Sequence, residues 1–171
     1  MAVRRTRAWT PKAIPFGLFI LLLGLWGIFV PLVGPYFHFG FFTNDTWNFM
    51  GRHWELLILP GIAAVLGGLL LLVPTRAGGW LGGMLATAAG IWFLVGPSLY
   101  PLWTSGHVKP IPHSETITAL LWIGYFYGTG ALIAYFAGYG QGLLSRRTVV
   151  EETPVAAPTQ TETRQRAVTQ A

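Results

Sequence analysis

Charged and histidine side chains fall in short clusters along this chain, and four uninterrupted stretches lie between them. Ala13–Phe37, Leu56–Thr75, Ala77–Gly106 and Thr116–Ser145 run without a single Asp, Glu, Lys, Arg or His. A helix rises about 1.5 Å per residue, so about 20 residues cross a hydrocarbon core of roughly 30 Å. Every one of the four stretches reaches that length. None of them alternates apolar with polar positions, as a strand of a membrane barrel does. The pattern predicts an all-α membrane protein with four transmembrane helices, over about residues 14–34, 54–73, 80–100 and 116–143.

Prolines punctuate these helices. Pro31 and Pro35 stand near the end of the first, and Pro97 and Pro101 near the end of the third. Proline removes an amide donor and crowds the preceding turn, so each helix is expected to kink or stop there. Pro60 is expected to bend the second. The connection "PTRAGG" is short enough to force spans two and three into an antiparallel hairpin, and Ser114 is placed to cap span four. Residues 1–13 form a basic N-terminal segment. Residues 144–171 carry little bulky apolar content and many threonines, so they are expected to be disordered.

The two halves look alike. "LVGP" occurs at Leu32–Pro35 and again at Leu94–Pro97, and the same shift carries Gly68 onto Gly130. Each half has two spans, so the copies would share orientation, and two similar helical hairpins are expected. With these features the chain resembles the SPW-repeat family of small bacterial integral membrane proteins. The residues concerned are "GLWGIFVP" at Gly24–Pro31, "TWN" at Thr46–Asn48 and "PGIAAVLGGLLLL" at Pro60–Leu72, then "AGIWFLVGPS" at Ala89–Ser98 and "GYFYGTGALIAY" at Gly124–Tyr135. The Ser-Pro-Trp tripeptide itself is replaced by Val-Pro-Leu and Gly-Pro-Ser. The resemblance covers about residues 14–143; it implies an architecture and supplies no catalytic residue.

Composition and charge then narrow the reading. Only 10% of the 171 residues are charged and 53% are hydrophobic, against roughly 25% charged in an ordinary soluble domain. Lipid must therefore cover much of the surface. Arg4, Arg5, Arg7, Lys12, Arg76, Arg146, Arg147, Arg164 and Arg166 fall on one side of a four-span topology, and only Arg52 and Lys109 on the other. Basic residues concentrate on cytoplasmic loops, so both termini are assigned to the cytoplasm and the protein to the cell membrane. The net charge of +5 is accounted for by topology, and no nucleic-acid partner is implied. No cysteine is present, which removes disulfides and thiolate metal sites.

Candidate chemistry gathers in the two outer loops. His38, His53, His107 and His113 all lie there, with Asp45, Glu55 and Glu115. Imidazole and carboxylate suit zinc, copper or another transition metal, but no H-x-x-x-H or H-E-x-x-H spacing occurs. Glu55 and Glu115 also suit the first turns of spans two and four, where a carboxylate meets the helix dipole. The charge-free core disfavours an ion-coupled transporter, since such proteins place ionisable groups at depth. Small residues at Gly124, Gly128, Gly130, Ala134, Gly138 and Gly142 recur at helical spacing and read as helix-packing seams, within the bundle or towards a second copy. The expectation is a non-enzymatic structural or accessory membrane protein, with no resident cofactor. Its expected partners are the lipid bilayer and a homo-oligomer or larger membrane complex joined through span four. The alternative is a metal- or haem-associated protein using the outer histidines, and a small-molecule transporter comes third.

Overall fold

The computed structural model describes residues 13–49, 51–73, 75–105, 108–111 and 114–145. The basic N-terminal stretch and the threonine-rich tail lie outside them. Four helices, each long and apolar enough to cross a membrane, follow one another along the chain. α1 is Ile14–Val33, tightening into a 3-10 turn at Gly34–Phe37. α2 starts as Gly51–His53, widens into a π-helical turn at Trp54–Ile58 and continues as Leu59–Leu72. α3 is Arg76–Leu99, with a 3-10 turn at Tyr100–Leu102. α4 starts as Glu115–Trp122, widens at Ile123–Tyr127 and continues as Gly128–Ser145.

The prolines act later than expected. α1 passes through Pro31 and α3 through Pro97, and each winds into its 3-10 turn only afterwards, at Gly34 and Tyr100. Pro60 has no amide to offer its own helix, and a widened turn precedes it. α3 also starts earlier than its hydropathy suggests. Thr75 is extended, and its hydroxyl accepts from the Gly78 amide at 3.0 Å, so the helix begins at Arg76. Ser114 caps α4 as expected, its hydroxyl 3.4 Å from the Ile117 amide.

The helices pack in a ring, α1 on α2, α2 on α3, α3 on α4, with α4 closing on α1. Three of the four seams are made by glycine. A Cβ on Gly24 would stand 2.9 Å from Gly61 O, and one on Gly61 would stand 3.0 Å from Gly24 O, which brings α1 and α2 into backbone contact. Gly67 and Gly82 do the same for α2 and α3, and Gly90 and Gly130 for α3 and α4. Close backbone approach multiplies the number of small dispersion contacts along a seam. The fourth seam is aromatic. Phe136 of α4 stacks on Phe19 of α1 at 5.3 Å and lies 6.0 Å from Phe16, which also meets Tyr139 at 4.8 Å. Gly140 of α4 joins these rings, since a Cβ on it would stand 3.3 Å from the Phe16 Cβ.

Within the ring, Ile20, Leu56, Leu57, Phe93, Leu121 and Ile133 are fully buried. The loop after α1 plugs one end of the bundle, called here the collar end. Phe41 inserts between Trp122, Tyr125 and Phe126 at centroid separations of 4.9–5.3 Å, and Phe41 O accepts from the Ile111 amide of the second loop at 2.9 Å. The Tyr125 hydroxyl pins the same loop, 2.6 Å from Phe39 O and 3.1 Å from Val30 O.

Candidate functional site

The histidine-bearing collar is built mainly as structure. His38 ends the 3-10 turn in the left-handed region, φ 56°, its amide bonded back to Pro35 O at 3.2 Å and its ring exposed. Trp47, also left-handed at φ 56°, donates its amide to Leu32 O at 3.1 Å, tying the loop onto the end of α1. Left-handed backbone is costly for bulky side chains, so these two bonds help hold a turn that the sequence does not favour locally.

His53 is different: it is 1% exposed, in the first turn of α2. Its Nδ1 lies 2.6 Å from Asn48 O. A carbonyl only accepts, so the proton sits on Nδ1 and the ring holds the loop against the helix start. Phe42 packs against the imidazole at 5.3 Å. Nε2 is left with a lone pair and no hydrogen-bond partner among the described residues.

The carboxylates are each engaged or turned outward. Asp45 accepts from the Thr43 hydroxyl at 3.0 Å, and that hydroxyl accepts from the Asp45 amide, which closes a local turn. Glu55 Oε2 accepts from the Trp103 indole at 3.2 Å. Glu115 is exposed in the first turn of α4. His107 and His113 lie outside the described residues. Among the described residues no three metal-ligating side chains gather; His38 and His53 face different surroundings.

The small-residue positions separate into two groups. Gly124 faces the Phe39 ring, Gly128 sits against the Ile123 carbonyl of its own widened turn, and Gly130 with Ala134 meets Gly90 of α3. Gly138 and Gly142 meet nothing within 4 Å. The small-residue stripe of α4 is thus consumed internally at one end and open at the other.

Two hydrogen bonds that hydropathy does not announce tie the halves together. In the widened turn of α2 the Leu59 amide reaches back to Trp54 O, and Pro60 has no amide, so Glu55 O lacks a helical partner. The Trp92 indole of α3 supplies one at 2.9 Å. In α4 the Gly128 amide likewise reaches back to Ile123 O. Gly124 O then receives the Thr129 hydroxyl at 2.7 Å and the Trp26 indole of α1 at 2.9 Å. One constant shift along the chain carries Trp26 onto Trp92, Gly24 onto Gly90, Pro31 onto Pro97 and Pro35 onto Pro101. A second, slightly longer shift carries Glu55 onto Gly124, Pro60 onto Thr129 and Gly61 onto Gly130. The contacts therefore pair Gly130 with Gly61, where the shift read from "LVGP" pairs it with Gly68. The signal available in the sequence was the spacing Gly-x-Trp-x-x-x-x-Pro-x-x-x-Pro, present at Gly24 and at Gly90.

Comparison with family models, with curated proteins and with solved structures finds no match.

Proposed function

We propose that this chain is a four-span integral protein of the bacterial cell membrane, with both termini cytoplasmic, and that it serves as a non-enzymatic structural or accessory subunit. The observation that carries the reading is the exterior of the bundle. Large apolar side chains are exposed along every helix, among them Leu22 and Phe29, Leu66 and Leu69, Met84 and Ile91, and Leu120 and Leu132. A surface of this extent is stable only when hydrocarbon or partner protein covers it. Inside, the buried polar side chains among the described residues are His53 at the collar and Thr129, the latter already bonded.

The recurrence of equivalent contacts in both halves supports a duplicated hairpin, in keeping with the resemblance to SPW-repeat proteins. The cluster of basic residues at the two ends of the chain supports the cytoplasmic assignment. The face offered to a partner is the far half of α4, where Gly138 and Gly142 are open beside the exposed Tyr135 and Tyr139. Replacing Gly138 and Gly142 with leucine is the direct test, read as assembly size in mild detergent. Loss of a larger assembly with an unchanged melting temperature supports docking there; unchanged assembly overturns it. Gly130 is unsuitable for this test, because its replacement damages the α3–α4 seam itself.

A further inference from the structure

A cleft of about 420 Å³ opens on the outer face of α1 at the collar end, lined by Trp26, Phe29, Val33 and Phe37 of α1 and its 3-10 turn, and by Phe39 of the loop. We infer that this cleft is a binding site for one acyl chain of a membrane phospholipid. The inference rests on the membrane assignment above.

Charge complementarity points to hydrocarbon. Every lining side chain is apolar or aromatic, and the one polar side-chain atom, Trp26 Nε1, is already committed to Gly124 O. A headgroup, sugar or peptide would have to bury its polar groups there unpaired, which is costly. A hydrocarbon chain loses nothing. The volume falls in the range of ordinary ligand sites, about 300–1,000 Å³.

The other half of the molecule shows what this space accepts. The counterpart of Trp26 is Trp92, and that of Phe37 is Trp103. Trp103 stacks on Trp92 at 6.0 Å and 27°, held there by its indole bond to Glu55 Oε2. Phe37 makes no such stack among the described residues and is 75% exposed. The reason is chemical. A phenyl ring has no N–H, and the counterpart of Glu55 is Gly124, which has no side chain to receive one. In one half a second ring covers the tryptophan, whereas in the other Trp26 and Phe37 line an open cleft.

The chain's own ends do not supply the occupant. Ile14 opens α1 at the end of the bundle away from the collar, where Phe16 meets Tyr139 of α4, and Ser145 closes α4 at that same end. The cleft lies about 18 Å or more along α1 from there. The tail beyond Ser145 is rich in Thr, Glu and Arg, which have no partner in an apolar cleft.

The test uses the full chain in phosphatidylcholine vesicles whose acyl chains carry a diazirine, with photo-adducts mapped by peptide mass spectrometry. Adducts on Trp26–Phe39 should exceed those on the exposed face of α2 at Ile62–Leu69 several-fold. Val33→Trp, which fills the cleft from its wall, should remove that excess and leave the α2 adducts unchanged. Phe37→Trp combined with Gly124→Glu, which rebuilds the closed arrangement of the other half, should do the same by a different route. Even labelling of both stretches, or an excess that survives both variants, overturns the inference while leaving the membrane assignment standing. Adducts on Ile62–Leu69 with none at Trp26–Phe39 show that protein, such as a second copy, covers the cleft and also overturn it. Absence of adducts anywhere on the chain overturns the membrane assignment together with the inference.

Discussion

The Trp26 indole donates to Gly124 O at 2.9 Å, joining α1 to a turn where α4 has left that carbonyl without its usual helical partner. Trp92 makes the same bond to Glu55 O, in the opposite sense between the halves. Trp92 thus gives Glu55 O its partner, and Trp26 gives Gly124 O a second one beside the Thr129 hydroxyl. In lipid an unbonded carbonyl has no water to turn to, so the repair matters more than its modest net energy suggests.

Trp26→Phe and Trp92→Phe keep most of the packing and remove the donor. Each is expected to lower stability by about 0.5–1.5 kcal/mol, with effects that add, because the two bonds share no partner. Unfolding in detergent, followed by circular dichroism, checks both. The Trp92 variant should show the larger loss, because Gly124 O keeps the Thr129 hydroxyl and Glu55 O keeps no side-chain partner among the described residues; equal losses would show that the Thr129 bond does not compensate.

Glycine at the inner seams and glycine on the open face should behave differently. Gly130→Ala places a Cβ 2.7 Å from Gly90 O, and Gly24→Ala places one 2.9 Å from Gly61 O. Either should cost about 1–3 kcal/mol through overpacking. Gly138→Ala meets open space and should leave stability unchanged or slightly raised, since alanine is the better helix former. The same unfolding measurement separates the two classes.

The two described histidines should separate as sharply. His53→Ala removes a buried ring and its bond to Asn48 O, and should cost about 2–4 kcal/mol. His38→Ala changes an exposed ring and should stay within about 0.5 kcal/mol. If His53→Ala instead strips a stoichiometric metal and leaves the melting temperature intact, the imidazole is a ligand and its structural role here is wrong.

Topology can be read chemically because the natural chain has no cysteine. Asn44→Cys, in the collar loop, should react in whole cells with a maleimide that does not cross membranes. Thr159→Cys, in the tail, should react only after lysis. The reverse labelling would invert the orientation assigned from the basic residues.

Much of the architecture was legible before any coordinates. The number, order and approximate limits of the helices follow from charge-free runs, because the apolar character and length of a helix are properties of one segment. The cap at Ser114 is likewise local. The small residues of span four were legible as packing positions, but their partners were not. Gly130, Ala134, Gly138 and Gly142 look equivalent in sequence, yet each step from one to the next turns about 40° around an α-helix. By Gly138 the stripe has rotated about 80° off the α3 face, and the glycine meets nothing within 4 Å.

The histidines of the collar show the same boundary. Their side of the bundle could be assigned from sequence, and the conformations of His38 and His53 could not, since one depends on a left-handed turn and the other on burial beneath Phe42. The sequence by itself determined four helices and the ends at which their polar residues collect. Only the tertiary structure decided which glycines touch, that the Trp26 and Trp92 indoles reach carbonyls of widened turns on distant helices, and that Trp26 and Phe37 line an open cleft. Those outcomes depend on the rotation and register of helices joined by distant residues, as where the Trp103 indole reaches Glu55 of α2.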